Sequence, residues 1–191
     1  MPTTGSTSIA SSGRNDWTGW RSTCASCKPR RSRVIAVSNL ITEPESRVLL
    51  IQRTLDAPRG LVYEAWTRPE HLVHWWGPAH FTTPDYLMDV RPGGFYRIHI
   101  RSGEGIDYWM QGVYQEVVEP ERLVFTFSWD TPQGTRGHET LVTVLFEEDG
   151  DKTKFKFHQA VFESDSSRND HRTGWSECFD RLGAYLKAMG A

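Results

Sequence analysis

Glu70-His71-Leu72-Val73-His74 sets two imidazoles three residues apart. On a helix that spacing puts both on one face, where they would hold a transition metal if a third ligand arrived. His80 is the nearby candidate for that ligand, yet the same residues also read as a solvated helix face opposite Trp75 and Trp76, and no metal is expected. Cys24-Ala25-Ser26-Cys27 has the spacing of half a zinc site or a redox pair. No second such pair follows, no histidine occurs in the first seventy residues, and no βαβ pattern surrounds it. His99 and His158 alternate with apolar neighbours, which points them away from the apolar side of a sheet and toward the surface, and His138 follows a Gly-rich turn. There is no G-x-S-x-G elbow and no Gly-rich phosphate loop, so neither a nucleophile nor a cofactor is expected. Asp107, Gln111, Arg97 and His171 are the remaining candidates for proton transfer, and strand parity opposes Arg97.

The elements that would carry these groups follow from periodicity. Residues 48–55 form a β-branched and Leu-rich strand closed by Asp56 and Pro58. A short helix over about 59–66 comes next, then a second that opens at Thr67-Arg68-Pro69-Glu70, the spacing of a capping box, and ends at Gly77-Pro78. Six strands are predicted at 83–90, 94–102, 106–118, 121–130, 138–148 and 153–162, separated by Gly- and Pro-containing turns in the manner of an antiparallel meander. Trp175, Cys178, Phe179, Leu182, Leu186 and Met189 then form one apolar stripe of a long helix, with Glu177, Asp180, Arg181 and Lys187 facing away. Cys178 on that stripe is expected to be a buried, unreactive thiol.

The stripe must lie on something apolar, and alternation along the strands supplies that surface. The architecture expected is α+β: a curved antiparallel sheet of about seven strands around the C-terminal helix, with a hollow between them. The side chains expected to line the hollow are Tyr86, Met88, Tyr96, Ile98, Tyr108, Phe125, Phe127, Trp129, Phe157, Gln159, Trp175 and Phe179. The hydroxyls of Tyr86, Tyr96 and Tyr108 could anchor a ligand's polar end. None of the twelve titrates near neutral pH, which suits binding better than acid-base catalysis.

Composition narrows the classes. The 191 residues suffice for one domain of ordinary size, and a net charge of -2 does not suggest a nucleic-acid partner. Residues 1–40 hold six cations against Asp16, a local +5 that leaves -7 for the remainder. That stretch is rich in Ser, Thr and Gly and has neither a period of 2 nor one of 3.6. Residues 1–46 are therefore read as a disordered basic extension, with a transit peptide or a gene-model overextension as alternatives, and 47–191 as the folded domain. No apolar run is long enough for a bilayer, so no membrane association is expected. Three cysteines favour a reducing compartment, the cytoplasm.

Several motifs occur in order: Arg53-Thr54-Leu55-Asp56-Ala57-Pro58, Ala65-Trp66-Thr67 with Pro69-Glu70, Trp75-Trp76-Gly77-Pro78, Pro92-Gly93-Gly94 with Phe95-Tyr96-Arg97, Pro120-Glu121-Arg122-Leu123, and Gly174-Trp175. In these the chain resembles the SRPBCC (START-like) superfamily, in the branch named after the C-terminal domain of the activator of heat shock protein 90 ATPase. The resemblance implies a helix-grip (START/Bet v-like) fold enclosing a hydrophobic cavity, and it leaves the activity open. Noncatalytic binding of a small hydrophobic molecule is the first expectation. A polyketide cyclase or aromatase-like enzyme and a co-chaperone-type module with a chaperone or other protein partner are the alternatives. The activators' separate docking domain has no counterpart in the first forty residues.

Overall fold

The computed structural model describes residues 47–190. The basic segment 1–46, with Cys24 and Cys27, lies outside the described residues. Strand β1 (Leu49–Leu55) leads into helices α1 (Arg59–Thr67) and α2 (Pro69–Leu72). Strands β2 (Thr82–Met88), β3 (Phe95–Arg101), β4 (Asp107–Val118), β5 (Arg122–Trp129), β6 (Thr140–Asp149) and β7 (Lys152–Ala160) follow, then helix α3 (Asp165–Met189). They form one antiparallel sheet in the order β1-β7-β6-β5-β4-β3-β2. The meander matches its prediction. The partner of β1, left open by the sequence, is β7, through pairs such as Ile51 with Phe157.

The connection between β1 and β2 departs from expectation in one respect. Thr67 ends α1, and its Oγ1 donates to the Tyr63 carbonyl at 2.9 Å rather than capping α2. Arg68 caps α2, with Pro69 in the first turn, and α2 lasts a single turn instead of running to Gly77-Pro78. The chain must turn early because Trp75 and Trp76 both go inward and are fully buried. There they meet Trp66 of α1 at ring-centroid distances of 4.9 and 5.8 Å.

At the far end Ser164 caps α3 by accepting from the Ser167 backbone N–H at 3.1 Å. The 25 residues of α3 span about 37 Å at 1.5 Å per residue. They bury Trp175, Cys178, Phe179, Leu182 and Leu186, the expected stripe, with Met189 half-buried. No helix among the described residues is long and apolar enough to cross a membrane.

Candidate functional site: an aromatic cavity beneath the C-terminal helix

The two halves of α3 meet the sheet differently. Phe179 packs on Phe155 and Phe157, with centroids at 4.9 and 5.2 Å, and closes the interior. In the N-terminal half, Trp175 packs on Phe157 at 4.6 Å, but Gly174 beside it has no side chain to fill the adjoining space. A cavity of about 540 Å³ opens there. Asp170, His171, Gly174, Trp175 and Cys178 line it from α3, Ile100 from β3, Tyr108 and Met110 from β4, and Phe127 and Trp129 from β5. Trp76, Gly77, Pro78 and Phe81 of the loop before β2 complete the wall. Tyr108 and Asp170, both exposed, lie at its mouth.

That loop is fastened by two α3 residues expected to face away. The Arg181 guanidinium reaches back and donates to the carbonyls of Gly77 (2.8 Å), Pro78 (2.9 Å), Phe81 (3.2 Å) and His74 (3.2 Å). Glu177 accepts from the Ala79 N–H at 2.9 Å. The planar, forked guanidinium, with donors on two nitrogens, is suited to serving several carbonyls at once. Gly77 in this loop has φ 96°, a left-handed conformation suited to glycine. The outward assignment of Glu177 and Arg181 is thus corrected: a partner on another segment outweighs their position on the polar side of the helical wheel.

Of the proton-transfer candidates Asp107, Gln111, Arg97 and His171, only His171 lines the cavity. Its Nδ1–H donates to the Ser167 carbonyl at 2.8 Å, and its Nε2 accepts from the Trp129 indole N–H at 3.0 Å. Both ring nitrogens are occupied in the neutral tautomer, so the lone pair a general base would use is already engaged. Burial lowers its pKa against the opposing pull of the Ser167 carbonyl and Asp170. Burial likewise pushes the Cys178 thiol up to about 12, far from a nucleophile. Burial also lowers His158, whose Nδ1 is buried without a partner.

A pH dependence follows. Both histidines have folded values below the 6.5 of the unfolded chain, so the unfolded state binds protons more readily as the medium acidifies. Their contribution is intact above 6.5 and is lost as pH falls toward and through the folded values. Calorimetric Tm should drop between about pH 7.5 and 5.5, and the H171Q/H158Q double variant should show a flatter profile. An unchanged profile in that variant would refute the assignment.

The remaining candidates lie on the opposite, outer face of the sheet. Arg97 pairs with Asp130 at 2.6 Å, Gln111 bonds the same carboxylate, and the Arg97 guanidinium covers the Trp109 ring at 4.3 Å. Asp107 is held at about 2 by hydrogen bonds from Arg101 and then His99, again away from the cavity. Parity places His99 on the correct face, but it is buried there instead of lying at the surface. It is only 6% exposed, stacked on Trp109 at 4.4 Å and donating to Asp107 at 2.8 Å. His158 is half-buried on that face, whereas His138 is exposed as expected and donates to the Val161 carbonyl. His71 meets the Tyr185 hydroxyl at 2.8 Å and His74 stacks on the Tyr185 ring, so this pair packs on α3 instead of forming a free solvated face. Among the described residues no group of three or more His, Cys, Asp or Glu is arranged to hold a metal ion.

Of the twelve residues read from the sequence as lining a hollow, Tyr108, Phe127, Trp129 and Trp175 border this cavity. Tyr96, Ile98, Phe125, Phe157 and Phe179 face the same way but are packed solidly as core, and the Tyr96 hydroxyl is spent on the Thr126 carbonyl at 2.8 Å. Gln159 is completely buried, accepting from the Trp175 indole and donating to Thr140, each at 2.8 Å; it positions Trp175 without reaching the cavity. Met88 packs at the core's margin, and Tyr86 is 41% exposed. Tyr86 pairs with Ile98 and so points to the correct face, but β2 is an edge strand that nothing covers at that point. Trp76, Gly77, Pro78, Phe81, Ile100, Met110, Asp170, His171, Gly174 and Cys178 also line the cavity and lie outside the expected twelve. The Trp75-Trp76-Gly77-Pro78 motif was a usable signal, since two adjacent indoles before a turn must bury against something.

Seven antiparallel strands gripping a long C-terminal helix above an aromatic hollow define a helix-grip protein of the SRPBCC superfamily. A family model described as activator of Hsp90 ATPase homolog 1-like protein matches residues 56–187, and the chain belongs to that family. Among solved structures, the AHSA1 protein from Silicibacter pomeroyi is 23% identical with a TM-score of 0.68, covering 74% of this chain and 99% of its own. A protein from Nitrosomonas europaea is 22% identical with a TM-score of 0.66, covering 77% and 98%. A putative uncharacterized protein from Rhizobium leguminosarum is 26% identical with a TM-score of 0.62, covering 74% and 94%. No curated protein matches the chain significantly.

Proposed function

We propose that the domain binds a small hydrophobic or aromatic molecule in the cavity beneath α3 and performs no chemistry on it. The observation that carries this reading is the pairing of His171 with Trp129: the cavity's imidazole has both nitrogens engaged, and the rest of the wall is mostly apolar, with six aromatic side chains. Burying ~300 Å² of ligand apolar surface at ~25 cal/mol/Å² contributes roughly 7 kcal/mol before association costs, which corresponds to micromolar affinity or weaker. Such affinity suits a carrier or sensor, and a cytoplasmic site of action fits the cysteine usage.

Gly174 supplies the test. A Cβ there meets only Pro78 Cγ at 3.8 Å, an ordinary contact, and a larger side chain would project into the cavity. G174L should abolish binding of the neutral dye N-phenyl-1-naphthylamine, while thermal stability holds or rises because leucine improves on a mid-helix glycine by about 0.8 kcal/mol. Dye affinity equal to wild type would sink the proposal. A protein-docking role is favoured by a different feature, the uncovered β2 edge with Tyr86 and the 60%-exposed Leu87. G174L separates the two readings, since it fills the cavity and leaves that edge untouched.

A further inference from the structure

The lining of the cavity carries one formal charge among the described residues, the carboxylate of Asp170 at the mouth. No cation of the described residues pairs with it. The other polar groups are largely spent: the Trp129 indole N–H on His171, and the carbonyls of Gly77 and Pro78 on Arg181. What faces an incoming molecule is an anion beside π-systems. These rings stand at steep angles to one another, 72° between Tyr108 and Trp129, 87° between Phe127 and Trp129, and 89° between Trp76 and Trp175. They form walls on several sides rather than one stacked slab. Ring faces attract cations through their quadrupole, and a carboxylate at the rim adds a Coulombic partner.

We infer that the ligand class is a hydrophobic organic cation, an amine or quaternary ammonium whose apolar body fills the cavity and whose charged nitrogen sits at the mouth with Asp170 and the aromatic walls. The inference rests on the binding role proposed above and names its ligand chemistry. A carboxylate-bearing ligand would meet Asp170 with like charge, and a neutral one would leave that carboxylate without a partner. Arg181 does not line the cavity, and its guanidinium is held by backbone carbonyls of the loop.

The test uses the full chain and two probes of nearly equal shape, trimethyl(2-naphthylmethyl)ammonium and its neutral carbon isostere 2-neopentylnaphthalene, each displacing N-phenyl-1-naphthylamine. The cation is expected to bind about tenfold more tightly than the isostere. In D170N the ratio of the two affinities should fall at least about threefold, and in Y108L, which removes an exposed ring, it should fall as well. Raising the salt should weaken the cation selectively. Equal affinities in wild type, or a ratio unmoved by D170N, would overturn the cation assignment and leave the cavity role standing. Dye binding indifferent to G174L would remove both.

Discussion

Replacing Trp66 with alanine is expected to destabilise the domain by about 3–5 kcal/mol, the largest single-residue effect in the core. Trp66 is the hub where α1, the sheet and α3 meet. Its ring lies within 6.4 Å, centroid to centroid, of Trp75, Trp76, Phe125, Phe146, Phe155, Phe157, Trp175 and Phe179. Truncation removes the transfer free energy of a buried indole and leaves a void that eight rigid rings cannot collapse to fill. Its Nε1–H is buried without an acceptor, so W66F should cost far less, because phenylalanine keeps most of the area and discards an unsatisfied donor. Urea melts of both variants check this. A W66A midpoint close to wild type, or W66F worse than W66A, would show that the hub does not carry the core.

Gly112→Ala is expected to cost about 3 kcal/mol or more, through overpacking rather than loss of contacts. A Cβ at Gly112 would stand 1.8 Å from the Thr126 carbonyl oxygen and 2.7 Å from Tyr96 Cε1. Neither can yield cheaply. The oxygen belongs to the neighbouring strand and accepts the Tyr96 hydroxyl at 2.8 Å, and the tyrosine ring is fully buried. An alanine there must push β5 away from β4, which displaces Phe127 and Trp129 and with them one wall of the cavity. The variant should therefore lose dye affinity as well as stability. A denaturation midpoint within error of wild type would mean the strands part at that point without cost.

The identity and order of the elements were legible in the residues. Alternation over Tyr96-Arg97-Ile98-His99-Ile100 and the stripe from Trp175 to Leu186 are local periodicities, and a strand or helix that violated them would expose its apolar side to water. The same rule sorted Phe127, Trp129 and Trp175 inward and Arg97 outward. It stopped short at Tyr86, which has the right parity on a strand with no cover, and at His99, which has the right face but is buried there by Trp109 and Asp107. Parity names a face; it does not say what lies above it.

Pattern alone thus decided which face of its strand or helix each side chain takes, because that choice depends only on a residue's neighbours along the chain. Where the interior is filled and where it is hollow was decided by the tertiary arrangement. Phe179 meets Phe155 and Phe157 and seals one end, while Gly174 leaves the other open and Arg181, distant in sequence from the loop it grips, holds Trp76 and Phe81 at the rim. A cavity is the volume left between surfaces contributed by remote segments, and no local period encodes a distance between them.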